Sequence, residues 1–228
     1  MRIIFVRHGE PDYAQDCLTG RGRQQAAAAA ERLVREDISE IYSSPCGRAY
    51  ETAAFTASRL KLPVTTLEFM REITWGGDGI PCKGHPWTLG DMMMEEGFDF
   101  RNEKWQEHPY FKGNAATDQY RRITSLFDSF LMMQGYRHED RRFLCETGTD
   151  KTIAIFSHGG SGACVLSHLL HLPFPYVLSV MPYGLTSIII LYFDTEKGKY
   201  FFPRLNLFND LAHTGRHGGE DPALQQES

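Results

Sequence analysis

Two histidines follow apolar runs at distant points of the chain, each set in a short motif: Arg7-His8-Gly9 and Ser157-His158-Gly159. A neutral imidazole is a nucleophile and a proton carrier, and a guanidinium fork matches the oxygens of a phosphate or carboxylate. Such a pair could hold an anion and act on it. An isolated Arg-His-Gly would fit a charged, solvated strand end better than a site, and it is the second occurrence that reverses this.

The elements before them explain how they would be positioned. Ile3–Val6 and Thr152–Phe156 are short apolar, β-branched and aromatic runs, the pattern of strands buried on both faces. In open α/β sheets, ligands bind beyond the carboxyl ends of the strands. Both histidines would then reach one crevice on rigid stems, with Gly9 allowing the backbone to turn.

Strand and helix patterns alternate along the rest of the chain. Glu10–Gly20 reads as a polar loop, with Thr19 as N-cap of an alanine-rich helix through Ala26–Ala30, Leu33 and Val34. Asp37–Ser43 reads as a strand, Ser44-Pro45 as the start of a helix, and Pro63–Leu67 as a third strand. The stretch from Gly76 to about Asn114 is aromatic and irregular, with a short helical pattern near Leu89–Glu96, as expected of a lid or binding loop. Ala115–Gln134 is a helix with Tyr120, Ile123, Phe127, Phe130 and Leu131 on one face, ending at Gly135. Met132 and Met133 read as core filler. Tyr136–Glu146 reads as an edge strand, and a helix from about Gly160 to His171 ends before Pro173. Leu185–Phe193 and Lys199–Leu205 read as a hairpin around Glu196-Lys197-Gly198. The fold class is α/β: one three-layer α/β/α domain over residues 1–213, with a mostly parallel central sheet. Residues 76–135 form a variable cap or insertion within it, and 214–228 a polar tail expected to fray.

Composition narrows the partners. The 228 residues suit one sizeable domain, and 42% hydrophobic content supports a full core. A formal net charge of -5 argues against a nucleic-acid surface. No apolar run approaches the ~20 residues that span a bilayer. Cys17, Cys46, Cys82, Cys145 and Cys164 are scattered without a C-x-x-C pair, so reduced thiols are expected. The expectation is a soluble, cytoplasmic protein with no nucleic-acid or membrane partner.

Four elements taken together carry a family resemblance: Arg7-His8-Gly9, Ser43-Ser44-Pro45-x-x-Arg48-Ala49-x-Glu51-Thr52, Arg71-Glu72 and Ser157-His158-Gly159. With Leu18-Thr19-x-x-Gly22-x-x-Gln25-Ala26 and Leu207-x-Asn209-Asp210, the chain resembles the histidine phosphatase superfamily, also called phosphoglycerate-mutase-like, over most of its length. The resemblance implies that His8 is a nucleophile forming a phosphohistidine and that His158 is a second imidazole on the phosphate. Arg7 and Arg48 would clamp the phosphate oxygens, helped by the helix N-terminus at Gly159. Glu72 is the candidate proton donor, with Glu10 as its competitor. Lys83, His85, Trp87 and Trp105 are placed on the leaving-group side by their segment alone.

The expected activity is phosphomonoester hydrolysis of a small-molecule phosphate ester, without cofactor or metal, since arginines supply the positive charge. The alternatives are a phosphoglycerate-mutase-type phosphoryl transferase and a binding module that holds a phosphorylated ligand without turnover. Pro11 and Ala14 stand where many members carry threonine and asparagine, and Gln15 is the candidate substitute for the asparagine. The basic pattern of the mutases is missing around Glu72, which favours hydrolysis. The pairs His168/His171 and His213/His217 have no partnered carboxylate or cysteine in the sequence pattern, so a metal is not expected there.

Overall fold

The computed structural model describes residues 1–76 and 86–215. The strands are β1 (Arg2–Arg7), β2 (Pro11–Asp12), β3 (Cys17–Leu18), β4 (Glu40–Ser43), β5 (Val64–Thr66), β6 (Tyr136–Glu139), β7 (Arg142–Cys145), β8 (Thr152–Ser157), β9 (Ile188–Tyr192), β10 (Tyr200–Phe201) and β11 (Arg204–Asp210). The helices are α1 (Gly20–Leu33), α2 (Gly47–Leu60), α3 (Leu89–Glu95), α4 (Ala115–Met133), α5 (Gly159–Leu170) and α6 (Phe174–Val180).

Six strands form the central sheet in the order β11-β9-β1-β8-β4-β5. β1, β8, β4 and β5 run parallel, while β9 and β11 add antiparallel at one side. Side-chain alternation divides the core into two layers. Ile3, Phe5, Ile153, Ile155, Ile189 and Leu191 join Phe127, Phe130 and Val165 of α4 and α5 on one face. Ile4, Val6, Ala154, Phe156, Ile188 and Ile190 join Leu33, Ala53 and Ala57 of α1 and α2 on the other. Both faces of β1 and β8 are therefore dry, which explains their unbroken apolar runs. Small side chains such as Ala26, Ala29, Ala30, Ala49 and Ala53 are buried on α1 and α2, which pack together. No single helix among the described residues is long and apolar enough to cross a membrane.

Several elements differ from the sequence expectation. Pro45 lies ahead of α2, which starts at Gly47, because Ser44 continues the strand direction through its N–H to the Phe156 carbonyl at 2.8 Å. Tyr136–Glu146 is a hairpin rather than one edge strand. It forms a separate sheet, β10-β7-β6, with Phe201 packed on Tyr136 and Phe143. The Lys199–Leu205 stretch thus divides between the two sheets: Tyr200–Phe201 pairs with β7, and only from Arg204 does the chain pair with β9, as β11. Met132 and Met133 are exposed in the last turn of α4 and fill no core. The polar loop after β1 contains the two-residue pair β2-β3. Helix α6 is an addition that packs on α3, where Gly90 approaches Pro175 and Ser179 too closely for a side chain. Cys17, Cys46, Cys145 and Cys164 are free thiols.

Candidate active site

Strand register brings the two histidines together. β1 and β8 pair in parallel with Arg7 opposite Ser157, and β8 pairs with β4 so that Ser43 lies opposite Phe156. The next residues, His8, His158 and Ser44, leave three neighbouring strands at the same edge. The His8 N–H donates to the Ser157 carbonyl at 3.0 Å, continuing the ladder by one residue. Both imidazoles are buried, with ring centroids 5.1 Å apart at 61°.

Hydrogen bonding assigns the tautomer of His8. Its Nδ1 lies 2.7 Å from the Gly9 carbonyl oxygen. A carbonyl only accepts, so Nδ1 carries the hydrogen and Nε2 keeps the lone pair. The Arg48 Nε–H points at that Nε2 from 3.4 Å. Burial pushes the His8 pKa well below its ordinary value, and Arg7 and His158 add to the shift. Burial acts first on His158 too, with Arg48, Arg7 and Arg71 reinforcing it, and lowers it to about 2. Both rings are neutral at pH 7. His158 Nε2 is 2.8 Å from the Ser44 hydroxyl, and its Nδ1 is buried without a protein partner.

Two guanidinium groups flank the imidazoles. Arg7 donates from one terminal nitrogen to the Tyr183 carbonyl at 2.6 Å, while its buried Nε has no partner. The Trp87 ring centroid is 5.8 Å from the Arg7 guanidinium carbon. Arg48 is anchored on Asp16 at 2.5 Å, and the other Asp16 oxygen accepts the Gly47 N–H at 2.7 Å. Tyr13 lies against Arg48, with 5.4 Å from guanidinium carbon to ring centroid.

The remaining motif residues hold this arrangement in place. Thr52 accepts the Gly9 N–H at 3.1 Å and donates to the Arg48 carbonyl at 2.8 Å, tying the histidine turn to α2. Gln25 accepts the Glu10 N–H at 2.8 Å, and Glu51 accepts the Leu18 N–H at 2.7 Å. Backbones cross so closely that a Cβ on Gly22 would lie 2.2 Å from the Glu10 carbonyl oxygen. Asn209 accepts the Gly184 N–H at 2.9 Å, fixing the turn whose Tyr183 carbonyl holds Arg7.

Glu72 lies against the first turn of α5. One oxygen accepts the N–H groups of Ile73 at 2.9 Å and Ser161 at 3.0 Å, and the other accepts that of Gly160 at 3.3 Å. The expectation that these helix amides face a phosphate is thereby modified, because the chain's own carboxylate takes two of them. Glu10 has different neighbours. One carboxylate oxygen accepts the Thr19 hydroxyl at 2.7 Å and the other is 3.6 Å from Arg21.

The structure thus brings together Arg7, His8, Arg48, Glu72, Trp87, His158 and Gly159. Trp87 covers Gly159 so closely that a Cβ there would lie 2.6 Å from its ring. Trp105 belongs elsewhere. It is buried among Phe111, Tyr120 and Phe174 and packs the core, since segment position alone does not set the direction of a side chain. Lys83 and His85 lie outside the described residues. Gln15 is exposed and uses its backbone N–H in a turn on Asp12, and it is the neighbouring Asp16 that reaches Arg48. Sequence reasoning missed Asp16, Tyr13, Tyr183 and Arg71. Only Arg71 had a signal, its place in the Arg71-Glu72 pair. Of the weaker histidines, His213 lies 3.2 Å from the Thr186 hydroxyl and His217 is outside the described residues. His168 does have a carboxylate partner, Asp128, contributed by α4.

The family profile described as "Histidine phosphatase superfamily (branch 1)" matches residues 3–206. Phosphoserine phosphatase 1 of Hydrogenobacter thermophilus is 27% identical over 173 residues, covering 69% of this chain and 71% of the relative. A probable phosphoglycerate mutase of Yersinia pestis is 26% identical over 190 residues, 76% of each chain. Among solved structures, a phosphoserine phosphatase mutant from Entamoeba histolytica in complex with phosphoserine superposes with a TM-score of 0.63. It is 24% identical and covers 93% of this chain and 98% of its own. A mycobacterial glucosyl-3-phosphoglycerate phosphatase in complex with inorganic phosphate gives 0.57 at 25% identity, with 93% and 98% covered. Its fold, its paired histidines at adjacent strand ends and the profile match over nearly the whole sequence make this chain a member of the histidine phosphatase superfamily, branch 1.

Proposed function

We propose that the chain is a phosphomonoesterase that works through a phosphohistidine on His8 and needs no metal. The observation that carries this reading is the 2.7 Å contact of His8 Nδ1 with the Gly9 carbonyl, which leaves the Nε2 lone pair beside Arg48. Nε2 attacks phosphorus and the ester P–O bond breaks. Charge on the transferring oxygens is stabilised by Arg7, Arg48 and His158. Glu72 gives a proton to the leaving alkoxide. It then takes one from the water that displaces phosphate from His8, so the acid is regenerated. Its position against Gly160 and Ser161, just beyond His158, supports this assignment over Glu10, whose oxygens face Thr19 and Arg21. The substrate is a small phosphate ester, as phosphoserine and 3-phosphoglyceric acid are ligands in solved relatives. Residues from the 86–114 segment, Trp87 foremost, would line the leaving-group side.

The test is hydrolysis of an aryl phosphate with EDTA present, comparing wild type and His8→Ala. Wild-type turnover that disappears in the variant, with an acid-labile, alkali-stable phosphoenzyme in wild type alone, is the expected result. Turnover that survives in His8→Ala refutes the nucleophile. Glu72→Gln should slow an alkyl phosphate by about 100-fold or more and an aryl phosphate, whose leaving group needs little protonation, by less than about tenfold. Equal losses on both substrates would remove Glu72 from the donor role. A mutase, the name carried by the Yersinia relative, would instead interconvert phosphoglycerate isomers faster than it releases phosphate.

A further inference from the structure

Away from the strand ends, three elements converge on a second cluster of chemically active side chains. Asp128 of α4 stands between His138 of β6 and His168 of α5. One Asp128 oxygen is 2.7 Å from His168 Nε2, and the other is 3.2 Å from His138 Nδ1. The two rings are perpendicular, with centroids 4.7 Å apart. The three ligand-type atoms all lie within 4.8 Å of one another. The described structure contains one such group of three or more histidine, cysteine, aspartate or glutamate side chains.

From this geometry we infer a binding site for a divalent transition metal, of the Zn²⁺ class, with Asp128, His138 and His168 as protein ligands. Metal–ligand bonds of about 2.0–2.1 Å at tetrahedral angles place donor atoms about 3.3 Å apart. The 3.2 Å and 2.7 Å pairs use different Asp128 oxygens, and the three donor atoms, within 4.8 Å of one another, reach this spacing by side-chain rotation. Two imidazole nitrogens and one carboxylate suit Zn²⁺, Co²⁺ or Ni²⁺, whereas Mg²⁺ and Ca²⁺ call for sets of oxygens. Metal entry replaces the hydrogens now shared with Asp128: each moves to the other nitrogen of a neutral ring, or to solvent from a protonated one, and a fourth position remains for water. His138 is stacked on Phe143 at 4.4 Å, which fixes its ring plane.

The site would be structural. His168 lies nine residues beyond Gly159 on the same helix, about 13 Å along its axis from the phosphate-facing end. A metal there would clamp the β6-β7 hairpin to α4 and to the last turn of α5, leaving the metal-free chemistry at His8 unchanged.

The experiment uses the untagged full chain, stripped with a chelator and titrated with Zn²⁺ alone, then with Co²⁺. The expected result is one metal per chain by native mass spectrometry, a melting temperature that rises with Zn²⁺ concentration, and visible Co²⁺ bands typical of four-coordination. His168→Gln, which keeps a donor for Asp128 but ligates poorly, should lose all three signals. His213→Ala should keep them. Aryl phosphate turnover should be the same in stripped and loaded protein. Absence of stoichiometric binding in wild type, or equal binding in His168→Gln, overturns the site. Should His168→Gln fail to fold, Asp128→Asn serves the same comparison.

Discussion

Burying two neutral histidines beside two arginines makes the stability of the ligand-free protein depend on pH in a specified direction. In the unfolded chain each imidazole takes up a proton near pH 6.5. In the folded chain His158 is held down to about 2 and His8 well below its ordinary value. Between those limits the unfolded state binds more protons, so stability rises with pH and falls as the solution is acidified below about 6.5. His158 adds a slope that approaches 1.4 kcal/mol per pH unit, or about 2 kcal/mol lost between roughly pH 7.5 and pH 5. His8 acts in the same direction, and the His158 contribution alone is a sizeable part of the ~5–15 kcal/mol of a typical domain. Urea unfolding across this window measures it before most carboxylates titrate. His171 and His213 are lowered by burial as well and act in the same direction, so the decisive comparison is His158→Asn, which should flatten the slope by about one proton. Saturating inorganic phosphate should flatten the wild-type slope too, because an anion between the rings favours their protonation. A stability unchanged between about pH 7.5 and pH 5, or an equal slope in His158→Asn, would refute the claim that these imidazoles are held neutral.

Two further outcomes follow from the supports around the site. Asp16→Ala releases Arg48 from its anchor and should lower kcat/KM for an aryl phosphate by about ten- to hundredfold. The accompanying stability loss should be under about 1 kcal/mol, since Asp16 is half exposed; kcat/KM within twofold of wild type would show that Arg48 needs no anchor. Gly22→Ala places a Cβ 2.2 Å from a backbone oxygen and should destabilise by about 1–3 kcal/mol in urea. Gly20→Ala, with nothing within 4 Å, should be neutral or stabilising, and equal effects at the two glycines would contradict the crossing of the two backbones.

Legibility in the sequence followed the range of each physical signal. Dry central strands announce themselves as unbroken apolar runs, and Thr152–Ser157 is a strand over the stretch its pattern indicates. The amphipathic face of α4 and the Thr19 cap, which accepts the Gly22 N–H at 3.0 Å, are equally local. Strand partnership is not local. Tyr200–Phe201 has the alternation of a hairpin partner for β9, yet its phenyl ring covers Tyr136 and Phe143, and Arg204–Asp210 takes the central sheet instead. Met132 and Met133 share the last turn of α4 with the buried Phe130 and Leu131 but lie on its exposed side, and an apolar side chain at a helix end does not by itself say which side it takes. The Asp128–His168 contact joins helices forty residues apart, and the Asp16–Arg48 contact depends on a left-handed residue in a turn. Neither has a periodic signature.

Parallel register makes the two strand ends act as one site. With Arg7 opposite Ser157, any residue following either strand must emerge at the same level, so the imidazoles meet regardless of the long chain between them. That placement also decides their charge. Rings 5.1 Å apart, buried and flanked by two guanidinium groups, cannot both be protonated without strong repulsion in a medium that screens poorly. Burial, reinforced by the same arginines that would attract a phosphate, therefore keeps His8 neutral. The Gly9 carbonyl then selects which nitrogen bears the lone pair. Lysine in place of Arg48 would retain the charge but lose the Nε–H directed at His8 and the fork held by Asp16. It would thus preserve the neutrality of His8 while loosening its alignment, which separates electrostatic tuning from positioning in one substitution.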